Sequence, residues 1–155
     1  MKSDSPITIR SSEDFAQGLF KPHGRVQMWV EGQVVYMVAQ GPFNPEFVRA
    51  LALAREELFR SSPPPSPHLS LVQIKGSIMA SPEMLAVYAE LIGKLKRLPV
   101  AVAWAVDPEV EGRDFILPMF ERVHLRLGRN FKSFEALADA EAWLRSQLPD
   151  DLPAS

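Results

Sequence analysis

Apolar residues recur along this chain in two rhythms, and their alternation sets out the elements. Arg25 to Val30 and Val34 to Gln40 are strand-like, and the short connection Glu31-Gly32-Gln33 between them predicts an antiparallel hairpin. The second of these, VVYMVA, is almost wholly apolar, which suits a strand covered on both faces. Asn44-Pro45-Glu46 then marks a helix start: a capping side chain, a proline suited to the first turn, and an acid at the positive end of the dipole. Phe47, Leu51, Ala54 and Leu58 share one face of that helix, which SSPPPSP ends near Arg60. A buried strand follows (Leu69, Leu71, Val72, Ile74), then a turn with Gly76 and Ser77. Ser81-Pro82-Glu83 starts a second helix, whose inward stripe is Met84, Tyr88, Leu91, Ile92 and Leu95 and whose end falls near Arg97.

The run VAVAWAV, from Val100 to Val106, has the length and boundaries of a central buried strand. A third helix over 114–127 carries Phe115, Ile116, Met119, Phe120, Val123 and Leu127 on its expected inner stripe, with Leu117 and Leu125 on the other side. Phe131-Lys132 adds a short strand, and Ser133 is positioned to cap a last helix with Leu137, Ala140, Leu144 and Leu148 inward beside Trp143. Ile7-Thr8-Ile9 reads as a short edge strand and Ser11 to Asp14 as a surface turn. The order is β-β-α-β-α-β-α-(β)-α, one α/β domain over 1–155 with a mostly parallel sheet. Residues 1–6 and 150–155 are expected to be flexible tails and 61–67 a proline-rich loop.

Composition narrows the function classes. Seventeen basic and nineteen acidic residues in 155 give a net charge of -2, so no long-range field draws in nucleic acid. Lys94, Lys96 and Arg97 make the only basic cluster, and the last turn of a helix explains them. Cysteine is absent, which removes disulfides, thiolate metal sites and thiol catalysis and agrees with a cytoplasmic home. No apolar run approaches the length of a membrane span, and the first residues lack the apolar core of a signal peptide.

Element order and several short motifs together resemble the SpoIIAA-like proteins, relatives of the STAS domain of anti-sigma-factor antagonists. The likeness rests on Phe131-Lys132-Ser133-Phe134-Glu135 with Ala140-Glu141-Ala142-Trp143-Leu144, on Gly41-Pro42-Phe43-Asn44, and on Val110-Glu111-Gly112-Arg113. It implies a mixed sheet of four to five strands entered by a hairpin, about four helices chiefly on one side, and a non-enzymatic role. Such proteins bind a protein partner, a nucleotide or a lipid-like ligand. Anti-sigma antagonists carry a phosphorylated serine in an Asp-Ser-Ser/Thr-Gly motif. Here that stretch reads Lys75-Gly76-Ser77-Ile78-Met79-Ala80-Ser81, so the kinase switch does not carry over. Ser77 and Ser81 remain the serines a kinase would reach, against the simpler roles of turn residue and N-cap.

Catalytic constellations are lacking. There is no Gly-x-Ser-x-Gly elbow, no phosphate loop and no Gly-x-Gly-x-x-Gly. Asp107, Glu109, Glu111 and Asp114 crowd within eight residues, the oxygen chemistry of hard cations, but the spacing is an ordinary solvated turn, with Glu111 or Asp114 free to pair with Arg113 or Arg122. His23, His68 and His124 are far apart and have different settings. No metal site and no cofactor is therefore expected. An anion suits the helix start at Ser81, near Lys75.

The expected working surface is the loop Lys75, Gly76, Ser77, Ile78, Met79 and Ser81, together with Phe115, Met119 and Phe120 of the third long helix. Its partner is a protein or a small apolar or anionic ligand, with a homodimer left open and membrane contact at most peripheral. A second reading makes the chain a carrier of a lipid or acyl ligand, or a peripheral membrane protein, with an apolar pocket under the 114–127 helix.

Overall fold

A computed structural model describes residues 7–15 and 22–149. The expected tails 1–6 and 150–155 lie outside the described residues.

One sheet of six strands runs in sequence order: β1 (Arg10–Ser11), β2 (Arg25–Glu31), β3 (Val34–Gln40), β4 (Leu69–Lys75), β5 (Ala101–Val106) and β6 (Phe131–Phe134). The pairs β1–β2 and β2–β3 are antiparallel, and β3 to β6 are parallel. Four α-helices complete the fold among the described residues: α1 (Pro45–Ser61), α2 (Pro82–Lys94), α3 (Arg113–Arg126) and α4 (Leu137–Ser146). The sheet is thus longer than the four to five strands expected. The extra one, β1, is only two residues long; Ile7 to Ile9 stay outside it, and Ser12 to Phe15 form a 3-10 turn. Ser12 is buried because its Oγ accepts the Val26 amide at 2.9 Å, a bond that a hydrophilic surface turn would not reveal.

Alternation along β5 explains the two layers. Val102, Trp104 and Val106 face the core shared with α1, α2 and α3, whereas Ala101, Ala103 and Ala105 face α4 through Ala140 and Leu144. Small residues on both sides let a single helix lie close to the sheet there. Val34 and Tyr36 of β3 pack at the margin of this second cluster, yet Val34, Tyr36 and Val38 stay half-buried, so β3 is not covered on both faces as its composition suggested.

Helix starts follow local chemistry. Asn44 Oδ1 accepts the Phe47 amide at 3.0 Å, and Ser81 Oγ accepts that of Met84 at 3.1 Å. α4 departs from expectation: Ser133 lies within β6, and the cap position is Ala136, with no side-chain hydrogen bond. Leu137, at the first turn of α4, is 38% exposed rather than inward. α2 stops at Lys94, which leaves Lys96 and Arg97 in the connection to β5.

The inner face of α3 is rotated from the expected stripe. Ile116, Leu117, Phe120 and His124 are buried, and Phe115 and Met119 are 80% and 42% exposed. Ile116, Phe120 and His124 are spaced i, i+4 and i+8, and Leu117 joins them, so the polar histidine completes an apolar face. Gly112, at φ +79°, begins the helix in place of a capping side chain, and Pro118 sits in its second turn.

Candidate functional site

Parallel strands gather function beyond their carboxyl ends chiefly where the winding reverses. This sheet has no reversal: strand order equals chain order. The loop after β4 is consequently not the floor of a crevice but a seam, fastened on both sides. Gly41 N donates to Ser77 O at 2.9 Å and Phe43 N to Met79 O at 2.8 Å, while Ile78 N donates to Glu111 O and Glu111 N to Gly76 O, both at 2.9 Å. Gly41 is required there: a Cβ would stand 2.6 Å from the Ser77 carbonyl oxygen.

This fastening sorts the expected site residues. Ile78 is 0% exposed and Phe120 2%, so both belong to the core and neither offers an accessible surface. Ser77 is 6% exposed; its Oγ donates to Glu111 Oε1 at 2.8 Å and accepts the Met79 amide at 3.1 Å, which leaves the hydroxyl neither free as a nucleophile nor open to a kinase. Ser81 is exposed and serves as the cap. Lys75 and Gly76 are exposed, and Lys75 borders an open groove of about 550 Å³ whose other charged residues are Asp107, Glu109 and Glu135, surroundings that do not favour a second anion. What remains exposed is Met79, Phe115 and Met119, the last two one turn apart on α3. Met79 is 40% exposed and lies across Gly112, the residue that launches α3.

Gly112→Ala is a direct test of that contact. A Cβ there would collide with Met79 Sδ, and the left-handed backbone disfavours any side chain. A loss of about 1–3 kcal/mol in urea unfolding is expected, with Met79 resonances displaced.

The four carboxylates separate. Asp107 Oδ1 accepts the Glu109 amide at 2.9 Å, Glu111 holds Ser77, and Asp114 pairs with Arg113 at 3.5 Å as the residue types suggested. Among the described residues no group of three or more His, Asp or Glu is arranged to hold a metal ion. No helix among them is long and apolar enough to cross a membrane.

At the opposite, amino end of the parallel strands lies a feature that sequence spacing did not reveal. A cavity of about 80 Å³ between α1, α2 and the sheet is lined by apolar residues together with Arg55, His68, Tyr88, His124 and Arg129. Two histidines expected to lie apart thus border one space, while His23 sits elsewhere on the surface. His124 Nε2 is 2.9 Å from the Tyr88 hydroxyl, and His124 Nδ1 and Arg129 Nε are buried without a hydrogen-bond partner. Burial first, then the Arg129 cation, lowers the His124 pKa to about 4. His68 is lowered likewise, by burial and then by Arg55 and Arg97.

No protein-family model and no curated protein matches the chain. A hairpin-led sheet with three helices on one face and one on the other is the SpoIIAA-like arrangement, and the chain has that fold. Among solved structures it is similar to an uncharacterised protein of the DUF3478 family with a SpoIIAA-like fold from Shewanella loihica PV-4, with 16% identity over 83% of this chain and 98% of that one and a TM-score of 0.53.

Proposed function

We propose that this chain is a non-enzymatic binding and regulatory domain, cytoplasmic, that works by engaging a protein partner or a small ligand. The observation that carries this reading is the exposed set Met79, Phe115 and Met119 at the junction of the β4 loop and α3. Phe115 is 80% exposed on an ordered helix that has buried its other aromatic residue, Phe120. Aromatic and methionine side chains are enriched at the cores of protein interfaces. Affinity purification of the full chain from its own cells tests the idea against Phe115→Ser/Met119→Gln. A stoichiometric partner is expected with the parent chain and lost with the double variant, whose stability stays within about 1 kcal/mol because both residues are exposed. Identical recovery from both chains would count against this surface.

A second reading is favoured by Arg122 and Arg126, both exposed on α3, and by an apolar cavity, which lies between α1, α2 and the sheet and not under the 114–127 helix as expected. In it the chain carries an apolar ligand or rests on a membrane surface. Flotation with neutral and anionic vesicles tests it: co-flotation of the parent chain and failure of the Phe115→Ser/Met119→Gln variant are expected, and a chain that stays at the bottom of every gradient excludes membrane association.

A further inference from the structure

The 80 Å³ cavity is lined by Arg55 and Arg129 and by no acidic residue. Arg55 stacks its guanidinium on the Phe59 ring at 4.0 Å, and Arg97 approaches the same ring at 5.4 Å. His68 meets that ring edge-on at 5.7 Å. Arg55 Nη2 donates to the Arg97 carbonyl at 2.8 Å, and Arg97 Nη2 to the Pro64 carbonyl at 3.2 Å. Among the described residues neither arginine has an ion pair within 4.0 Å. Glu57 of α1 serves Arg60 and Arg10, and the exposed Glu56 makes no ion pair with Arg55 within 4.0 Å.

Burial of Arg55 and repulsion from Arg97 lower the Arg55 pKa to about 10, with Glu56 acting weakly the other way. Both guanidiniums approach the Phe59 ring and repel each other, and among the described residues neither is paired with a carboxylate. Here the proline loop and the α2–β5 connection hold them together over one aromatic ring. On the inner wall His124 is 3% exposed, and its Nδ1 has no hydrogen-bond partner among the described residues, a polar atom that the head at the arginines leaves unsatisfied. Buried polar atoms without a partner are rare in folded proteins.

We propose that Arg55, Arg97 and His68 bind the oxyanion head, carboxylate or phosphate ester, of a small amphiphile whose short apolar tail enters the cavity. This rests on the small-ligand arm of the proposed function. Planar guanidinium forks match such oxygens in bidentate fashion, and a bound anion removes the repulsion between the two arginines. The cavity, about 80 Å³, is small, so the tail is short.

The test is titration of the full chain with hexanoate, hexyl phosphate, hexanol and inorganic phosphate, read by calorimetry and by the ring resonances of His68. Hexanoate or hexyl phosphate is expected to bind at least tenfold more tightly than hexanol or inorganic phosphate, and the tighter of the two identifies the head. The His68 midpoint rises above its free value of about 4 with the anionic probe and not with hexanol. Arg55→Met and, independently, the exposed Arg97→Met weaken the anionic probe by roughly tenfold or more and leave hexanol unchanged. Equal binding of hexanol and hexanoate overturns the anion site while leaving a small apolar ligand in place. Equal binding of inorganic phosphate and hexyl phosphate overturns the role of the tail. Binding of none of the four overturns both this site and the small-ligand reading.

Discussion

Phe120→Ala is expected to remove about 3–5 kcal/mol of stability, the usual range for deleting a fully buried aromatic side chain. Phe120 is 2% exposed, and its ring meets Tyr88 at 5.0 Å and Trp104 at 5.1 Å. It also lines a void of about 50 Å³ with Phe43, Phe47 and Met84, so the truncation enlarges an existing gap. For a chain of 155 residues this lowers the melting temperature by roughly 10 °C. Phe115→Ala, five residues earlier on the same helix, is expected to change stability by no more than about 0.5 kcal/mol. Urea unfolding of the pair measures the contrast. Equal effects would mean that α3 is rotated from the orientation described.

Acid is expected to weaken the fold well above the pH at which carboxylates titrate. In the folded chain His124 stays neutral to about pH 4, whereas an exposed histidine protonates near 6.5. Between those values the unfolded chain binds a proton that the folded chain refuses. Stability from this residue is therefore fully present above pH 6.5 and is lost as pH falls toward 4. The slope is about 1.4 kcal/mol per pH unit, on the order of 2 kcal/mol by pH 5 and 3 kcal/mol at the limit. His68 acts in the same direction. The groups against His124 are Tyr88, Trp104 and Phe131, with Arg129 as the charged one, so among the described residues no carboxylate is placed to stabilise the imidazolium. Urea midpoints between pH 7 and 4.5 should show the decline, and Tyr88→Phe/His124→Phe should flatten it by about one proton. A parent chain equally stable at pH 7 and pH 5 would contradict the buried neutral ring.

Much of the architecture was written in local signals. The strand–helix alternation, the hairpin, the caps at Asn44 and Ser81, and VAVAWAV as the central strand depend on neighbours in sequence. Errors arose where distant contacts decide. Phe115 and Ile116 are equally apolar, but only packing against the sheet determines which one α3 buries. Ser133 has the chemistry of a cap and is taken by β6 pairing with β5 through Trp104. Ile78 looked like an exposed loop residue until the loops after β3 and β5 were seen to clasp it from both sides.

The candidate sites were legible to different degrees. Met79, Phe115 and Met119 could be picked out as residue types that mark surfaces when exposed, although their exposure itself was not visible in the sequence. The Arg55–Arg97–His68 cluster was hidden because its members are 42 and 13 residues from Arg55 and belong to a helix, a connection and a strand entrance. Its faint sequence trace was Arg97, which the end of α2 at Lys94 leaves without the helix dipole that had explained it.

Native mass spectrometry of the chain, purified gently from its own cells, bears most directly on the claim that this is a binding domain. The account predicts a non-covalent mass addition, either a protein retained by the parent chain and lost with Phe115→Ser/Met119→Gln, or a small molecule lost with Arg55→Met. A bare chain in every preparation, under conditions that preserve weak complexes, would contradict it.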